Sequence, residues 1–135
     1  MLIVRDARYR DTAAMMRILS LCPEAGRWRR KDLQPAAPTT KARLVAEIDG
    51  RVVGFLLAEC ALQDEAEILT LAVEPAARRQ GAARTLVYVF LQCREGEVFL
   101  EVRRSNIAAQ RLYEACGFRV CGSRPAYYQA PPEDA

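Results

Sequence analysis

The chain of 135 residues contains no histidine. That absence removes Ser-His-Asp and Cys-His nucleophilic systems, zinc sites of the HExxH kind and any imidazole general base. Acid and base chemistry falls to carboxylates, tyrosines, lysines, cysteines or water. Lysine is scarce too, because 18 of the 20 basic residues are arginine. Against 17 acidic residues the formal charge is only +3, too mild for a dedicated nucleic-acid binder with its clustered basic footprint. A small polyanionic ligand remains compatible with it. No run approaches the roughly 18 uninterrupted apolar residues of a membrane span. The opening Met1-Leu2-Ile3-Val4 is stopped at once by Arg5-Asp6, which leaves no signal-peptide core. Cys22, Cys60, Cys93, Cys116 and Cys121 are odd in number and lack CxxC spacing. This argues against a disulfide framework or zinc ribbon, and for a reducing, cytoplasmic setting in which each is a small buried hydrophobe.

What is present is the balance of an ordinary globular protein, 51% hydrophobic and 27% charged. Residues 1–135 are expected to form a single domain, burying roughly two thirds of the surface its unfolded form exposes. Residues 2–5 form a short strand. Met15, Ile18, Leu19 and Cys22 keep the i, i+3, i+4, i+7 spacing of a helix that starts near Asp11-Thr12 and stops at Pro23. A short second helix near Trp28 and Leu33 and a Pro-rich loop follow. Residues 43–48 and 51–58 flank Asp49-Gly50, the signature of a type I′ hairpin. Residues 67–73 add a third strand to the meander.

After Glu74-Pro75 the period changes. Ala83, Leu86, Val87 and Phe90 predict a helix from about residue 79 or 80 to Glu95-Gly96, then a strand at 98–102. Strand, helix, strand calls for a right-handed crossover and a parallel pair. A helix over 106–116, stopped by Gly117, and a final strand at 118–121 complete the pattern.

The strongest chemical signal lies at residues 71–84. A strand runs into a turn and then a helix whose first turn holds only Gly81, Ala82 and Ala83, leaving its free backbone N–H groups unobstructed. Such a helix start binds phosphate. Arg78, Arg79 and Arg84 add positive charge around the same point, which suits a pyrophosphate. Neither GxxxxGK[ST] nor GxGxxG is present. A small-residue helix start packed closely on a sheet, with solvated arginines, has the same local pattern. Downstream, Glu101 interrupts the apolar strand, and its parity puts it with Phe99 and Arg103. By default it is a surface acid paired with an arginine; likewise Tyr113 is a core aromatic, and Asn106 is a helix N-cap.

Together these residues carry a resemblance. Arg78-x-x-Gly81-x-Ala83, followed by Asn106-x-x-Ala109-x-x-Leu112-Tyr113-x-x-x-Gly117-Phe118, resembles the GNAT superfamily of acetyl-CoA-dependent N-acetyltransferases. The first element alone is weak, but the pair in order and spacing is specific. Over about residues 43–130 the chain looks closer still to the bacterial ribosomal-protein alanine N-acetyltransferases, which act on the N-terminal amine of ribosomal protein S18. Leu100-Glu101-Val102-Arg103-x-Ser105-Asn106 and Tyr127-Tyr128 are part of that likeness.

The resemblance implies an α/β fold of the α+β kind, with a mixed, mostly antiparallel sheet, a central parallel pair and about four flanking helices. The family's last strand would begin where this chain stops, at residues 131–135, and is expected to be missing. The resemblance further implies that acetyl-CoA is the cosubstrate, with no metal, nucleic acid or membrane partner, and that a protein N-terminus is the acceptor. Backbone groups of Leu71, Ala72 and Val73 would bind the pantetheine arm and acetyl carbonyl. Those of Arg79, Gln80, Gly81, Ala82, Ala83 and Arg84 would cradle the pyrophosphate. Asn106 would touch the coenzyme near its thiol end, Glu101 would be the general base and Tyr113 the general acid.

The chemistry is feasible without histidine. An α-amine has a pKa near 7.7 to 8.0, against about 10.4 for lysine, so a glutamate suffices as proton acceptor. A strand N–H at a bulge can serve the oxyanion. No cysteine has a base beside it in sequence, so direct transfer in a ternary complex is expected. An acetyltransferase for a small amine or a lysine side chain, and a non-catalytic acyl-CoA-binding module, are the competing readings.

Overall fold

The computed structural model describes residues 1–36, 39–123, 128–129 and 132–135, in two compact units, Met1–Phe99 and Leu100–Ala135. In the first unit the strands β1 (Leu2–Asp6), β2 (Lys41–Ile48), β3 (Arg51–Leu62), β4 (Glu65–Val73) and β5 (Glu97–Leu100, its last residue opening the second unit) lie in the order of the chain. The first four pair antiparallel and β4–β5 is the parallel pair. The β2–β3 turn is the expected type I′: Asp49 and Gly50 have φ of 51° and 82°, and Ile48 faces Arg51 across them.

β3 is the spine, with Val53 to Ala58 all buried, so helices must cover both faces. Successive side chains alternate. Phe55 and Leu57 join Met15 and Ile18 from α1 (Thr12–Ser20), and Cys22 just beyond it, in one core cluster. On the other face Gly54 sits under α3 (Ala82–Gln92), where an added Cβ would lie 3.5 Å from Leu86 Cδ1 and only 2.9 Å from the Ala72 carbonyl oxygen. α2 (Arg30–Leu33) is one turn long and buries Leu33 beside α1. Before α1, the chain is pinned by a buried fork. Arg5 Nη1 and Nη2 donate to the two carboxylate oxygens of Asp11 at 2.7 and 3.0 Å, and Arg8 N donates to the same group at 2.7 Å.

In the second unit α4 (Ile107–Ala115) is bounded as its sequence predicts. Asn106 Oδ1 accepts from Ala109 N at 3.1 Å. At the far end Gly117, with φ of 97°, donates its N–H to Glu114 O, and Phe118 N donates to Tyr113 O. This is the double bond of a Schellman stop. It spends the Phe118 amide on the helix end, and the strand expected at 118–121 does not form. Short strands β6 (Tyr128–Gln129) and β7 (Pro132–Glu133) pair antiparallel. Glu133 accepts from Ser105 N at 2.6 Å and pairs with Arg103 at 3.4 Å. The hydrogen bond from Ser105, reinforced by Arg103, holds the Glu133 carboxyl below the ordinary range. Tyr127 lies outside the described residues. Among the described residues no helix is long and apolar enough to cross a membrane.

Among the described residues none of the five cysteines forms a disulfide. Only Cys22 is buried, whereas Cys93 and Cys121 are exposed, which corrects the expectation that each is a buried hydrophobe.

Candidate active site

Among the described residues, the end of β4 is paired along one edge only. Leu57 faces Thr70 while Ala58 faces Ile68, so Leu69 is an extra residue, a bulge that sharpens the twist just before Leu71. On the other side Glu97 N bonds Asp64 O, so the four residues of β5 start level with β4 and run beside only its first half. The ladder to β3 fixes which groups point where. Glu74 N donates to Val53 O at 2.8 Å, so the hydrogen-bonded pairs are 53:74, 55:72 and, by alternation, 57:70. The backbone of Ala72 is therefore turned to Phe55. Leu71 and Val73 present theirs to the open edge. Of the three β4 residues singled out in the sequence, two can meet a ligand through the backbone; Ala72 offers a small, buried side chain instead.

The strand end is clamped. Glu74, 6% exposed, receives Arg51 Nη2 at 3.3 Å and Arg17 Nη2 at 3.4 Å. Arg78 Nε donates to Val73 O at 3.1 Å and its Nη2 to Glu24 at 2.8 Å, while Cys22 Sγ donates to the same carbonyl at 3.4 Å. This corrects the expectation that Arg78 joins the phosphate-facing charges. Its guanidinium ties the turn before α3 to the loop after α1, and it takes up the Val73 carbonyl, leaving that residue's N–H for a ligand. Burial pushes the Cys22 thiol up, so it stays protonated at neutral pH and is a poor nucleophile. Neither clamp was visible in the sequence, where Glu74-Pro75 gives only a turn signal and, apart from the Arg78 bond to the Val73 carbonyl, the partners lie 23 or more residues away.

α3 begins at Ala82, two to three residues later than its periodicity predicts, because Arg79 and Gly81 have left-handed φ of 66° and 85°. Thr85 N is the first to close a helical bond, to Gly81 O at 3.0 Å. Among the described residues, none of the amides from Arg79 to Arg84 finds an acceptor. A Cβ at Gly81 would meet nothing within 4 Å, so the space above these amides is open. Gly81 in the left-handed region followed by helical Ala82 turns consecutive N–H groups the same way, a concave anion nest at a positive helix end. Arg79, Gln80 and Arg84 are exposed around it, and neither arginine forms an ion pair among the described residues.

The second unit holds the other three candidates. Glu101 is half-buried and follows directly on β5, which ends at Leu100 rather than continuing through residue 102. Asn106 has committed Oδ1 to its cap and its backbone carbonyl to Gln110 N, so its Nδ2 is the group left to donate. Tyr113 is the third residue from the Schellman stop, and its ring meets Phe118 edge-on at 5.6 Å and 72°. The helix end thus sets where the phenol points. Gln110 Nε2 donates to the carbonyls of Arg103 and Arg104 at 3.2 and 2.8 Å, fixing the loop between Glu101 and α4.

The end of β4 leads into the open start of α3, and a carboxylate and a phenol follow further along the chain. Residues 12–118 match the Acetyltransferase (GNAT) family. The chain belongs to that family. Among characterised relatives it is 39% identical over 84 residues to the [Ribosomal protein bS18]-alanine N-acetyltransferase of Haemophilus ducreyi, covering 59% of this chain and 57% of the relative. It is 42% identical over 72 residues to the N-alpha-acetyltransferase RimI of Mycobacterium tuberculosis, covering 53% and 46%. The matched stretch thus amounts to about half the length of these relatives. The crystal structure of the ribosomal-protein-S18-alanine N-acetyltransferase from Escherichia coli superposes with a TM-score of 0.85 at 28% identity, covering 99% of this chain and 89% of that one.

Proposed function

We propose that this chain is an N-acetyltransferase that transfers acetyl from acetyl-CoA to the N-terminal α-amine of a protein, with ribosomal protein S18 beginning in alanine as the leading acceptor. Its two units act as one domain, in the cytoplasm. The observation that carries this reading is the unpaired row of amides from Arg79 to Arg84 beneath open space. These amides form a row open to solvent, where an anion can replace the water that hydrates them at the positive end of a helix, and Arg79 and Arg84 supply the matching charge. The named relatives support the acceptor class.

Acetyl-CoA, when bound, supplies an activated acyl group as a thioester. Within that frame, the amides of Gly81, Ala82, Ala83 and Arg84 bind the diphosphate, and Arg79 and Gln80 close its rim. The N–H groups of Leu71 and Val73 orient the pantetheine arm and donate to the acetyl oxygen, where negative charge grows during transfer. Asn106 Nδ2 positions the thiol end. Glu101 takes the proton of the attacking amine, directly or through water, and Tyr113 protonates the departing sulfur. Transfer is direct, since the Cys22 thiol beside β4 is held protonated by burial.

Calorimetry with coenzyme A tests the grip. Gly81→Val forces a β-branched residue to φ of 85°, a strain of about 1–2 kcal/mol that tilts the nest amides. Coenzyme affinity is expected to fall about tenfold or more, and an unchanged Kd would remove the nest from the site. A panel of peptides differing in their first residue tests the acceptor. Faster acetylation of an alanine-first peptide than of internal lysine supports the proposal. Preference for lysine or a small amine overturns the acceptor, and coenzyme binding without transfer to any amine overturns the reaction.

A further inference from the structure

The loop that joins β5 to α4 is held from two sides within the second unit. From α4, Gln110 Nε2 donates to the carbonyls of Arg103 and Arg104, and Asn106 N closes a turn onto Arg103 O at 3.0 Å. The second hold comes from residues 132–135. Arg104 N donates to Asp134 O at 3.0 Å, and the two side chains form an ion pair at 3.7 Å. The next amide, Ser105 N, donates to Glu133 Oε2 at 2.6 Å, while Arg103 Nη1 donates to Glu133 Oε1 at 3.4 Å. One carboxylate thus spans three residues of the loop.

These contacts are not those of a helix cap. A capping side chain accepts from the second or third helical amide, and in α4 that task falls to Asn106 Oδ1 on Ala109 N. Glu133 accepts instead from Ser105, one residue before the cap. The helix is therefore closed at both ends without it. What Glu133 adds is a fixed position for the loop, in which Glu101 lies two residues before Arg103 and Asn106 directly follows Ser105. The bond to Ser105 is short and charge-assisted. With the side chains of Glu133 and Arg103 only 21% and 20% exposed, water competes weakly for it.

We propose that Glu133 is a positioning residue for acetyl transfer: by bridging the Ser105 amide and the Arg103 guanidinium, it sets the loop from which Glu101 takes the proton of the acceptor amine. This rests on the acetyl-transfer reading, in which Glu101 is the base. Proton transfer needs hydrogen-bond reach, and a misplacement of about 1 Å at a reacting group costs up to about 10²-fold in rate. Releasing the loop amides gives up that reach, while the anion nest in the first unit keeps its contacts.

Kinetics of the full chain with the best acceptor of the peptide panel test the role. Glu133→Asp keeps the charge but is one methylene too short to serve Ser105 N and Arg103 together, and is expected to lower kcat about tenfold. Glu133→Gln loses the charge but keeps an oxygen within reach of Ser105 N, and is expected to run close to the wild type. KM for acetyl-CoA and the Kd of coenzyme A are expected to stay at wild-type values in both. Combination with Glu101→Gln separates positioning from folding. With the base removed, Glu133→Asp should cost little more, whereas a general loosening of the fold lowers the rate by the same factor in both backgrounds, even where the variant melts lower. Three results would overturn the role: wild-type kcat in Glu133→Asp, equal losses in both backgrounds, or a Glu133→Gln as slow as Glu133→Asp. A wild-type rate in Glu101→Gln would withdraw the base and this role with it. A slow Glu101→Gln beside a wild-type Glu133→Asp would withdraw the role of Glu133 alone.

Discussion

Glu101→Gln is expected to lower kcat for peptide acetylation by about 10²-fold or more, the range found when a positioned general base is removed, while coenzyme A binds as in the wild type. The substitution is nearly isosteric and keeps a hydrogen-bonding group at a half-buried position just after β5, so the loss reports proton transfer rather than folding. The acceptor's own pKa supplies a sharper readout. An α-amine becomes its own free base above about pH 8. The deficit of the variant should therefore shrink as pH rises through that value, and a deficit that stays constant with pH would assign Glu101 to positioning. Tyr113→Phe is the companion. It removes only the hydroxyl and retains the ring that packs on Phe118 at 5.6 Å. A lower kcat with an unchanged melting temperature is expected. Wild-type rates in both variants would withdraw both roles.

Asp11→Ala is expected to destabilise the first unit by about 3 kcal/mol, at the low end for breaking a buried ion pair by removing one partner. Asp11 is 4% exposed and accepts both nitrogens of the Arg5 fork. Without it, a largely buried guanidinium is left with Glu47 at 3.4 Å and the Asp6 carbonyl at 3.1 Å, which moderates the loss. The pH dependence follows from the same fork. The hydrogen bond from Arg5, outweighing burial, holds the Asp11 carboxyl below its ordinary range. A carboxylate depressed in the folded state stabilises fully above its unfolded pKa, near 3.9, and that stability disappears as pH falls through the depressed value. Denaturant melts from pH 7 down to pH 2 should show the wild type losing stability in the acid range and Asp11→Ala losing less. Parallel curves would remove the pair from the acid response.

Both predictions rest on positions whose legibility in the sequence differs. Asn106 and Tyr113 were singled out by a spaced motif and Glu101 by its place in an apolar strand and a family likeness, and the helix cap and the Gly117 stop were readable because they are local, made by side chains and amides within a few residues of each other. The open space over Gly81 followed from its small neighbours. The Asp11–Arg5 fork left no such trace. Two charged residues six apart on either side of a turn look like surface until burial is known.

What the sequence determined by itself is everything with a short physical range. It determined the order of strands and helices through α4 from hydrophobic period, but not the chain after it, where no strand forms at 118–121 and β6 pairs with β7; it also determined the type I′ turn from Asp49-Gly50, the unobstructed start of α3 from its small residues, and the exclusion of imidazole chemistry. Tertiary structure decided which backbone groups are spare. The Leu69 bulge and the brief pairing of β5 open the edge at Leu71 and Val73 but turn Ala72 inward, and Arg78 is diverted from the nest to the Val73 carbonyl. Such outcomes depend on register and on how strands and side chains are brought together by the fold. One residue of slip reverses the direction of every N–H on a strand, and no local pattern records it.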